Sequence, residues 1–137
     1  MRIITTVFAS LLIITGAFVI TDQSLAQGDC GGESSSYKLM VHVSNNKPTR
    51  VTHQGEDADD FYVCNGDEVE WQLVGSAKQY WVDFIDGAPF GGASRRDSNN
   101  NGKIQVIIDG DAGPEGYKYD IGLADGGLLD PRIIIGE

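Results

Sequence analysis

Asp97, Asn99 and Asn101 alternate along the segment D-S-N-N-N-G, which ends at a glycine. Such spacing is typical of the first half of a calcium-binding loop, where side-chain oxygens converge and glycine permits a sharp turn. The position that would supply a bidentate glutamate holds Ile108. One carboxylate and two amides are a poor ligand set for a hard cation. We therefore predict an Asn-Gly hairpin turn here, with a weak Ca²⁺ site as the alternative.

Met40 and His42 stand two residues apart in the alternating segment Y-K-L-M-V-H-V-S. On a β-strand this spacing places both side chains on one face. Thioether sulfur and imidazole nitrogen both suit soft copper, so the pair is a candidate surface site for Cu(I). Two ligands are too few for tight binding, and the pair is a minor alternative.

The other polar residues form no catalytic pattern. The chain has two histidines and contains neither G-x-S-x-G nor H-E-x-x-H, and we find no convincing Ser–His–Asp set. The acidic segment at 55–60 favours a solvated loop, with a site for a cation or a basic partner as the alternative. We predict that the protein is not an enzyme and carries no cofactor.

The N-terminal residues are typical of a secretory signal peptide. Arg2 precedes an apolar run over 3–20, and Ser24-Leu25-Ala26 supplies a small-x-small cleavage pattern. The run is interrupted by polar residues and is short for a span, which needs about 20 apolar residues; an uncleaved anchor is the alternative. The expected organisation is a signal peptide at 1–26, a flexible segment at 27–36 and one domain at 37–137, located in the periplasm or outside the cell.

Cys30 and Cys64 are the chain's two cysteines. In an oxidising compartment two cysteines usually pair, and no histidine lies near either in sequence to activate a free thiol. We predict a disulfide that ties the N-terminal segment to a strand end. On the chain-entropy description, a loop of this length would contribute about 3–4 kcal/mol.

The net charge of −10 limits the possible partners. Such a surface repels nucleic acid and anionic lipid, so we expect neither nucleic-acid binding nor membrane contact after signal cleavage. The expected partner is an unidentified protein or small ligand, and the sequence leaves the oligomeric state open. Solubility alone is one reason for the charge, and a cationic partner or Ca²⁺ is the other.

In the segments that would position these groups, apolar residues recur at every second position. From Tyr37 onwards, apolar residues alternate with polar ones between closely spaced turn residues, which predicts seven or eight short strands and no helix. This pattern favours an all-β, antiparallel Greek-key β-sandwich. The inward-facing sets include Leu39, Val41, Val43; Val69, Trp71, Leu73; Ile104, Val106, Ile108; and Tyr117, Tyr119, Ile121. Trp81 has the opposite parity to Val82 and Phe84, so it marks a binding face or packs under a loop.

Three segments in order resemble the cupredoxin family of the plastocyanin and amicyanin type. Y-V-C-N-G-D-E-V-E-W at 62–71 is similar to the family's x-V-x-x-G-D-x-V-x-W strand pair. Y-W-V-D-F at 80–84 is similar to its H-N-V-x-F strand, and Y-K-Y-D-I at 117–121 to its Y-x-Y-x-C strand. The resemblance spans most of 37–137 and implies a cupredoxin-like topology.

The ligand positions that the resemblance implies lack copper ligands. The first histidine of the family falls on Tyr80, the cysteine on Ile121 and the second histidine on about Ala124, and residues 126–129 offer no thioether. Blue copper needs a thiolate and two imidazoles. The resemblance therefore implies a sandwich whose metal position is filled with hydrocarbon.

The expected function is that of a secreted, non-catalytic binding or interaction module without type 1 copper. Loops at one end of a rigid sandwich would present the contacts, and we expect 87–94 and 124–130 to form that surface at the ancestral metal end. The alternatives are a metal-handling protein with a non-standard copper or calcium site, and an accessory subunit of a periplasmic redox system.

Overall fold

The computed structural model describes residues 30–75, 79–124 and 126–137. These residues form eleven β-strands. The strands are β1 Ser36–Ser44, β2 Lys47–His53, β3 Glu56–Asp57, β4 Asp60–Val63, β5 Glu68–Leu73, β6 Tyr80–Phe84, β7 Arg95–Asp97, β8 Lys103–Ile107, β9 Gly113–Leu123, β10 Leu128–Leu129 and β11 Arg132–Ile135. Within the described ranges there is no helix long and apolar enough to cross a membrane.

The strands form two sheets. The first sheet has five strands in the order β3-β2-β1-β5-β8, and the second has six, in the order β4-β11-β9-β6-β7 with β10 paired to β9. The predicted all-β sandwich is confirmed. Its details differ: there are eleven strands rather than seven or eight, and both sheets are mixed, because β1–β5 and β4–β11 pair in parallel.

The differences have local causes. Strands β3, β7 and β10 contain only two or three residues, too few for alternation to show in the sequence. In each parallel pair, the chain passes through the other sheet before it returns to form the second strand. A short turn in the sequence can indicate an antiparallel neighbour, but no such turn marks a parallel one. Alternation predicts that a strand is half-buried but does not name its partner.

The core lies between the inner faces of the two sheets. The predicted alternation is seen directly in β5 and β6, where Val69, Trp71 and Leu73, and Tyr80, Val82 and Phe84, are buried. Large rings fill its centre: Trp71 and Phe84 lie 5.5 Å and 5.0 Å from Tyr119 between ring centroids. Burial of such apolar side chains contributes about 1.5–3 kcal/mol each to folding.

One end of the sandwich is closed by the disulfide and by a buried carboxylate. Cys30 and Cys64 are bonded, as predicted, across a separation of 34 residues. Asp67 is only 2% exposed, and its two oxygens accept the backbone N–H groups of Ser35 and Cys64, each at 2.7 Å. The carboxylate therefore joins the segment before β1 to the turn before β5.

The predicted signal peptide at 1–26 lies outside the described residues, as do 27–29. The remaining part of the predicted flexible segment, 30–35, is attached to the sandwich through Cys30 and Ser35, and β1 begins at Ser36. A disulfide is compatible with a periplasmic or extracellular location.

Candidate functional site

The antiparallel β6–β9 ladder decides which predicted site residues meet. Tyr80 pairs with Leu123 at one end of this ladder, and Phe84 pairs with Tyr119 at the other. Tyr80 lies at this first end of the ladder, whereas Ile121 pairs with Val82 at its centre. Tyr80 and Ile121 are therefore diagonal neighbours on the buried face, and Ala124 follows Leu123 beyond the end of the ladder. The three positions that the cupredoxin resemblance assigns to one metal site are spread along the ladder.

These residues do not fit a type 1 copper ion. Ile121 is fully buried hydrocarbon, Ala124 is exposed and carries no donor, and the one polar side chain is Tyr80, 1% exposed. Its hydroxyl makes no hydrogen bond within the usual distance and angle limits among the described residues, and only the backbone of Ile104 offers it a weak polar contact. Burial raises the pKa of Tyr80 far above its usual value, so the phenol stays protonated. A neutral phenol beside two alkyl side chains cannot replace a thiolate and two imidazoles.

The two loops predicted to share a surface lie at opposite ends of the sandwich. The chain enters 87–94 after Phe84, whereas it enters 124–130 after Leu123, which pairs with Tyr80. Neighbouring antiparallel strands must release their following loops in opposite directions. The prediction of one shared binding end built from these two loops is therefore wrong.

The candidate calcium loop is a turn between the two sheets, joining β7 to β8. Asn99 Oδ1 accepts the backbone N–H groups of Asn101 and Lys103 at 2.9 and 3.1 Å, and Gly102 has a positive φ of 69°. The Asp97 carboxylate accepts a hydrogen bond from Arg95. Two of the three candidate oxygens therefore face N–H donors in the described structure. The turn is not a hairpin, because β7 and β8 belong to different sheets.

Met40 and His42 share the outer face of β1, as predicted, and both are half-buried. His42 Nε2 shares a 2.8 Å hydrogen bond with Thr52 Oγ1. Burial, with a smaller contribution from Arg50, lowers the pKa of His42, so the ring is neutral at pH 7. Among the described residues, no group of three or more His, Cys, Asp or Glu side chains is placed to hold a metal ion.

The acidic residues around Ala58 are exposed, as predicted, but the predicted loop is wrong for most of them, because they lie in two strands. Glu56 and Asp57 form the short β3, and Asp60 begins β4. Asp60 accepts two hydrogen bonds from Arg132, at 2.8 and 2.9 Å. This contact holds the pKa of Asp60 below its usual value.

A different surface stands out on the outer face of the second sheet. Trp81 on β6, Gly122 on β9 and Leu128 on β10 occupy one row, because Gly122 pairs with Trp81 on one side and with Leu128 on the other. A Cβ atom at position 122 would collide with the indole ring. Leu128 is 59% exposed. We call this row of three residues the aromatic strip.

The chain places one of its own cations on this strip. The guanidinium carbon of Arg95 lies 4.6 Å from the centroid of the Trp81 ring, a cation–π contact. Arg95 also donates to Asp97 at 3.0 Å, so its charge is already paired.

A carboxylate row runs beside the aromatic strip. It consists of Asp83, Asp120 and Asp130. Asp83 pairs directly with Asp120 across β6 and β9, two residues along from the pair Trp81–Gly122. Partial burial, then Asp130 and Asp83, raises the pKa of Asp120. Asp83 accepts a hydrogen bond from Ser94 Oγ at 3.0 Å. The row thus concentrates negative charge next to exposed apolar surface.

No protein-family model and no curated protein sequence matches the chain.

The aromatic strip and the carboxylate row together are suited to non-covalent binding. They combine a flat apolar surface, an aromatic ring that accepts a cation–π contact, and hydrogen-bond acceptors on rigid strands. The parity of Trp81 already indicated an outward ring. Gly122, Leu128 and Asp120 carried no comparable signal, since their contact depends on strand register.

Proposed function

We propose that the protein is a periplasmic or extracellular, non-catalytic binding module with a cupredoxin-like sandwich and no type 1 copper. It acts through the outer face of the second sheet rather than through end loops. The observation that carries this proposal is the aromatic strip, in which Trp81 lies over Gly122 beside the exposed Leu128.

The places of the three cupredoxin-like segments in the fold support the cupredoxin-like part of the proposal. The three similar segments fall on β4–β5, β6 and β9. Of the residues at the implied ligand positions, Tyr80 at the end of the β6–β9 ladder and Ile121 at its centre belong to the buried core. Hydrocarbon and a neutral phenol at these positions are what a sandwich without type 1 copper requires.

The chemistry of the strip supports a binding role. Tryptophan and arginine are the side chains that most often dominate the energy of protein interfaces. Here Trp81 and Arg95 lie in contact on neighbouring strands. Strands hold their side chains more rigidly than loops do, so little conformational entropy is lost on binding.

Site-specific crosslinking tests the proposal. A photoreactive amino acid at Leu128 should capture a defined partner in the native host, whereas the same group at Gln105, exposed on the outer face of the first sheet, should not. The captured partner, once purified, should bind the unmodified protein saturably and lose affinity for Leu128→Glu. Equal capture from both positions, or unchanged affinity of the Leu128→Glu variant, would refute the proposal.

Elemental analysis of the same purified protein tests the metal-handling alternative. Copper or calcium at one ion per chain would favour that alternative over a module that works through its surface alone. Protein that is folded by circular dichroism and free of stoichiometric metal supports the binding module.

A further inference from the structure

Resting on the proposed function, we propose that the aromatic strip and the carboxylate row together bind a lysine- or arginine-containing segment of a partner protein. The aliphatic stem of a basic side chain lies along the strip, and its charged head reaches the row. The partner is thus defined by its chemistry: a cationic, conformationally extended polypeptide segment.

The strip matches the apolar part of such a side chain. Gly122 has no side chain, so the Trp81 ring lies close against the β9 backbone and the strip is flat. Leu128, 59% exposed, continues the apolar surface on the next strand. Lysine and arginine bury their methylene stems on surfaces of this kind while their charged heads remain near water or a carboxylate.

The carboxylate row matches the positive charge at the end of such a side chain. Asp83 and Asp120 follow Trp81 and Gly122 on the same face, roughly 7 Å further along the strands. That distance is within reach of a basic side chain whose stem lies on the strip. Asp120 has no hydrogen bond or ion pair with the residues that the structure describes. Partial burial, then the charges of Asp130 and Asp83, raises its pKa.

The neighbouring cations leave Asp120 without an ion pair, although Arg95 stands directly opposite Asp83 in the β6–β7 register. Arg95 is paired with Asp97, and Arg132 with Asp60. Lys118, two residues before Asp120 on the same face of β9, is exposed and forms no ion pair among the described residues. A cation supplied by a partner would therefore remove the repulsion between Asp83 and Asp120.

Arg95 shows within the chain how such recognition works. Its guanidinium carbon stands 4.6 Å from the Trp81 centroid while its nitrogen donates to a carboxylate. The Trp81 ring already has Gly122 beneath it and Arg95 over it, so a partner's basic side chain would lie along the ring edge and Leu128, with Asp120 or Asp130 as the acceptor. Arginine combines stacking on an aromatic ring with bidentate binding of a carboxylate.

Other occupants fit the surface less well. A single metal ion needs several ligands around one point, and the described residues place no three acidic, histidine or cysteine side chains in that way. A second copy of this chain would bring its own charge of −10. Like charges at close range oppose that docking.

Two-dimensional NMR of the purified, ¹⁵N-labelled secreted protein tests the inference with tetra-arginine amide as the probe. Salt of about 150 mM limits electrostatic attraction to roughly 8 Å. We expect shifts concentrated on the Trp81 indole and on the amides of Asp83, Asp120, Gly122 and Leu128. Tetra-glutamate should cause none of them. Shifts spread equally over the acidic residues 56–60 would indicate general charge attraction and overturn the inference.

Matched variants sharpen the result, because each removes one negative charge. Asp120→Asn should weaken binding of tetra-arginine about threefold to tenfold. Asp86→Asn, on an exposed loop, should change it less than twofold. Equal losses in the two variants would overturn the inference.

The outcomes separate this inference from the proposed function. A partner that crosslinks at Leu128 but binds Asp120→Asn with unchanged affinity would overturn the cationic segment and leave the binding module standing. Tetra-arginine that binds at the strip while no partner is captured there would refute the proposed function alone. Shifts at the strip that appear on concentrating the protein without peptide would identify a second copy as the occupant and overturn the cationic segment.

Discussion

Trp81 and Gly122 face each other directly across the β6–β9 ladder, and the indole ring occupies the space in which a side chain at position 122 would stand. The contact needs glycine because of space and not because of backbone strain, since Gly122 is not among the residues with positive φ. It makes the outer face of the second sheet flat at this point.

Gly122→Ala should therefore lower the free energy of unfolding by about 1–3 kcal/mol, because the ring must move away. In a Trp81→Ala background the same substitution should cost much less. Urea denaturation measures both differences. Gly91→Ala is the control, since nothing lies within 4 Å of its added Cβ. Equal losses in the two backgrounds would show that the ring does not rest on Gly122.

Two buried tyrosines should differ in their response to loss of their hydroxyl groups. Tyr119 Oη accepts a hydrogen bond from Trp71 Nε1 at 3.1 Å, and Tyr119→Phe, which leaves that donor unpaired, should destabilise by about 1–3 kcal/mol. The Tyr80 hydroxyl makes at most a weak contact with the Ile104 backbone, so Tyr80→Phe should be neutral or stabilise by up to about 1 kcal/mol. Chemical denaturation of both variants is the measurement, and a larger loss for Tyr80→Phe would contradict the assignment.

Asp67 should be among the most sensitive polar positions. Asp67→Ala leaves the N–H groups of Ser35 and Cys64 without their acceptor and should cost about 3 kcal/mol. Asp67→Asn keeps one oxygen and should cost about half as much. Thermal and urea unfolding compare the two variants, with Asp109→Ala at an exposed position as control. Wild-type stability in Asp67→Ala would mean that these hydrogen bonds do not hold the sandwich end together.

Reduction of the Cys30–Cys64 bond should lower stability without changing the fold. The closed loop spans 34 residues, and the chain-entropy description gives about 3–4 kcal/mol for that length. Urea midpoints with and without reductant, and of the double variant Cys30→Ser/Cys64→Ser, measure the loss. The β-sheet circular dichroism signal should persist at low urea; its disappearance would show that the bond is required for folding itself.

Asp120 should make the folded protein less stable at neutral pH than at mildly acidic pH. Partial burial, then the charges of Asp130 and Asp83, raises its pKa in the folded state, so folding favours the protonated carboxyl. This destabilisation is absent below the unfolded-state pKa and is complete once the pH has risen above the folded-state value. Asp120→Asn should raise the melting temperature at pH 7, and the gain should shrink as pH approaches 4. A gain that does not vary with pH would exclude titration of Asp120 as its cause.

The pKa of Glu70 is shifted in the opposite direction from that of Asp120. Glu70 therefore adds a second component to the dependence of folding stability on pH. Burial alone would raise its pKa, but hydrogen bonds and ion pairs with Lys103 and Lys38 outweigh burial and lower it. Stability from Glu70 is therefore present above its unfolded-state pKa and is lost as pH falls through the folded-state value. Subtracting the Asp120→Asn profile from that of the unmodified protein isolates the contribution of Asp120.

Alternation in the sequence predicted the half-buried strands well, since Val69, Trp71 and Leu73 are all buried, as are Ile104, Val106 and Ile108. It also predicted that Trp81 points away from the core. It did not predict the partners of the strands, because a period of two says which face is apolar and nothing about which strand lies alongside.

The position of the binding surface was the main failure of sequence reasoning. Resemblance directed attention to loops at 87–94 and 124–130, which the β6–β9 register places at opposite ends. The aromatic strip joins residues from three strands, and Leu128 enters it only because β10 pairs with β9. Such a surface is defined by register, which a single sequence does not contain.

Strand β11 lies between β4 and β9 in the second sheet, although β4 precedes it by 72 residues at the pair Asp60–Arg132. During synthesis, residues up to 107 suffice for every strand of the first sheet. Among the described residues β4 pairs with β11 alone, so it has no strand neighbour until 132–135 have been made. Contacts between such distant residues slow folding into the range of milliseconds to seconds. An incomplete chain therefore exposes an open edge at β4, and productive folding waits for the last strand.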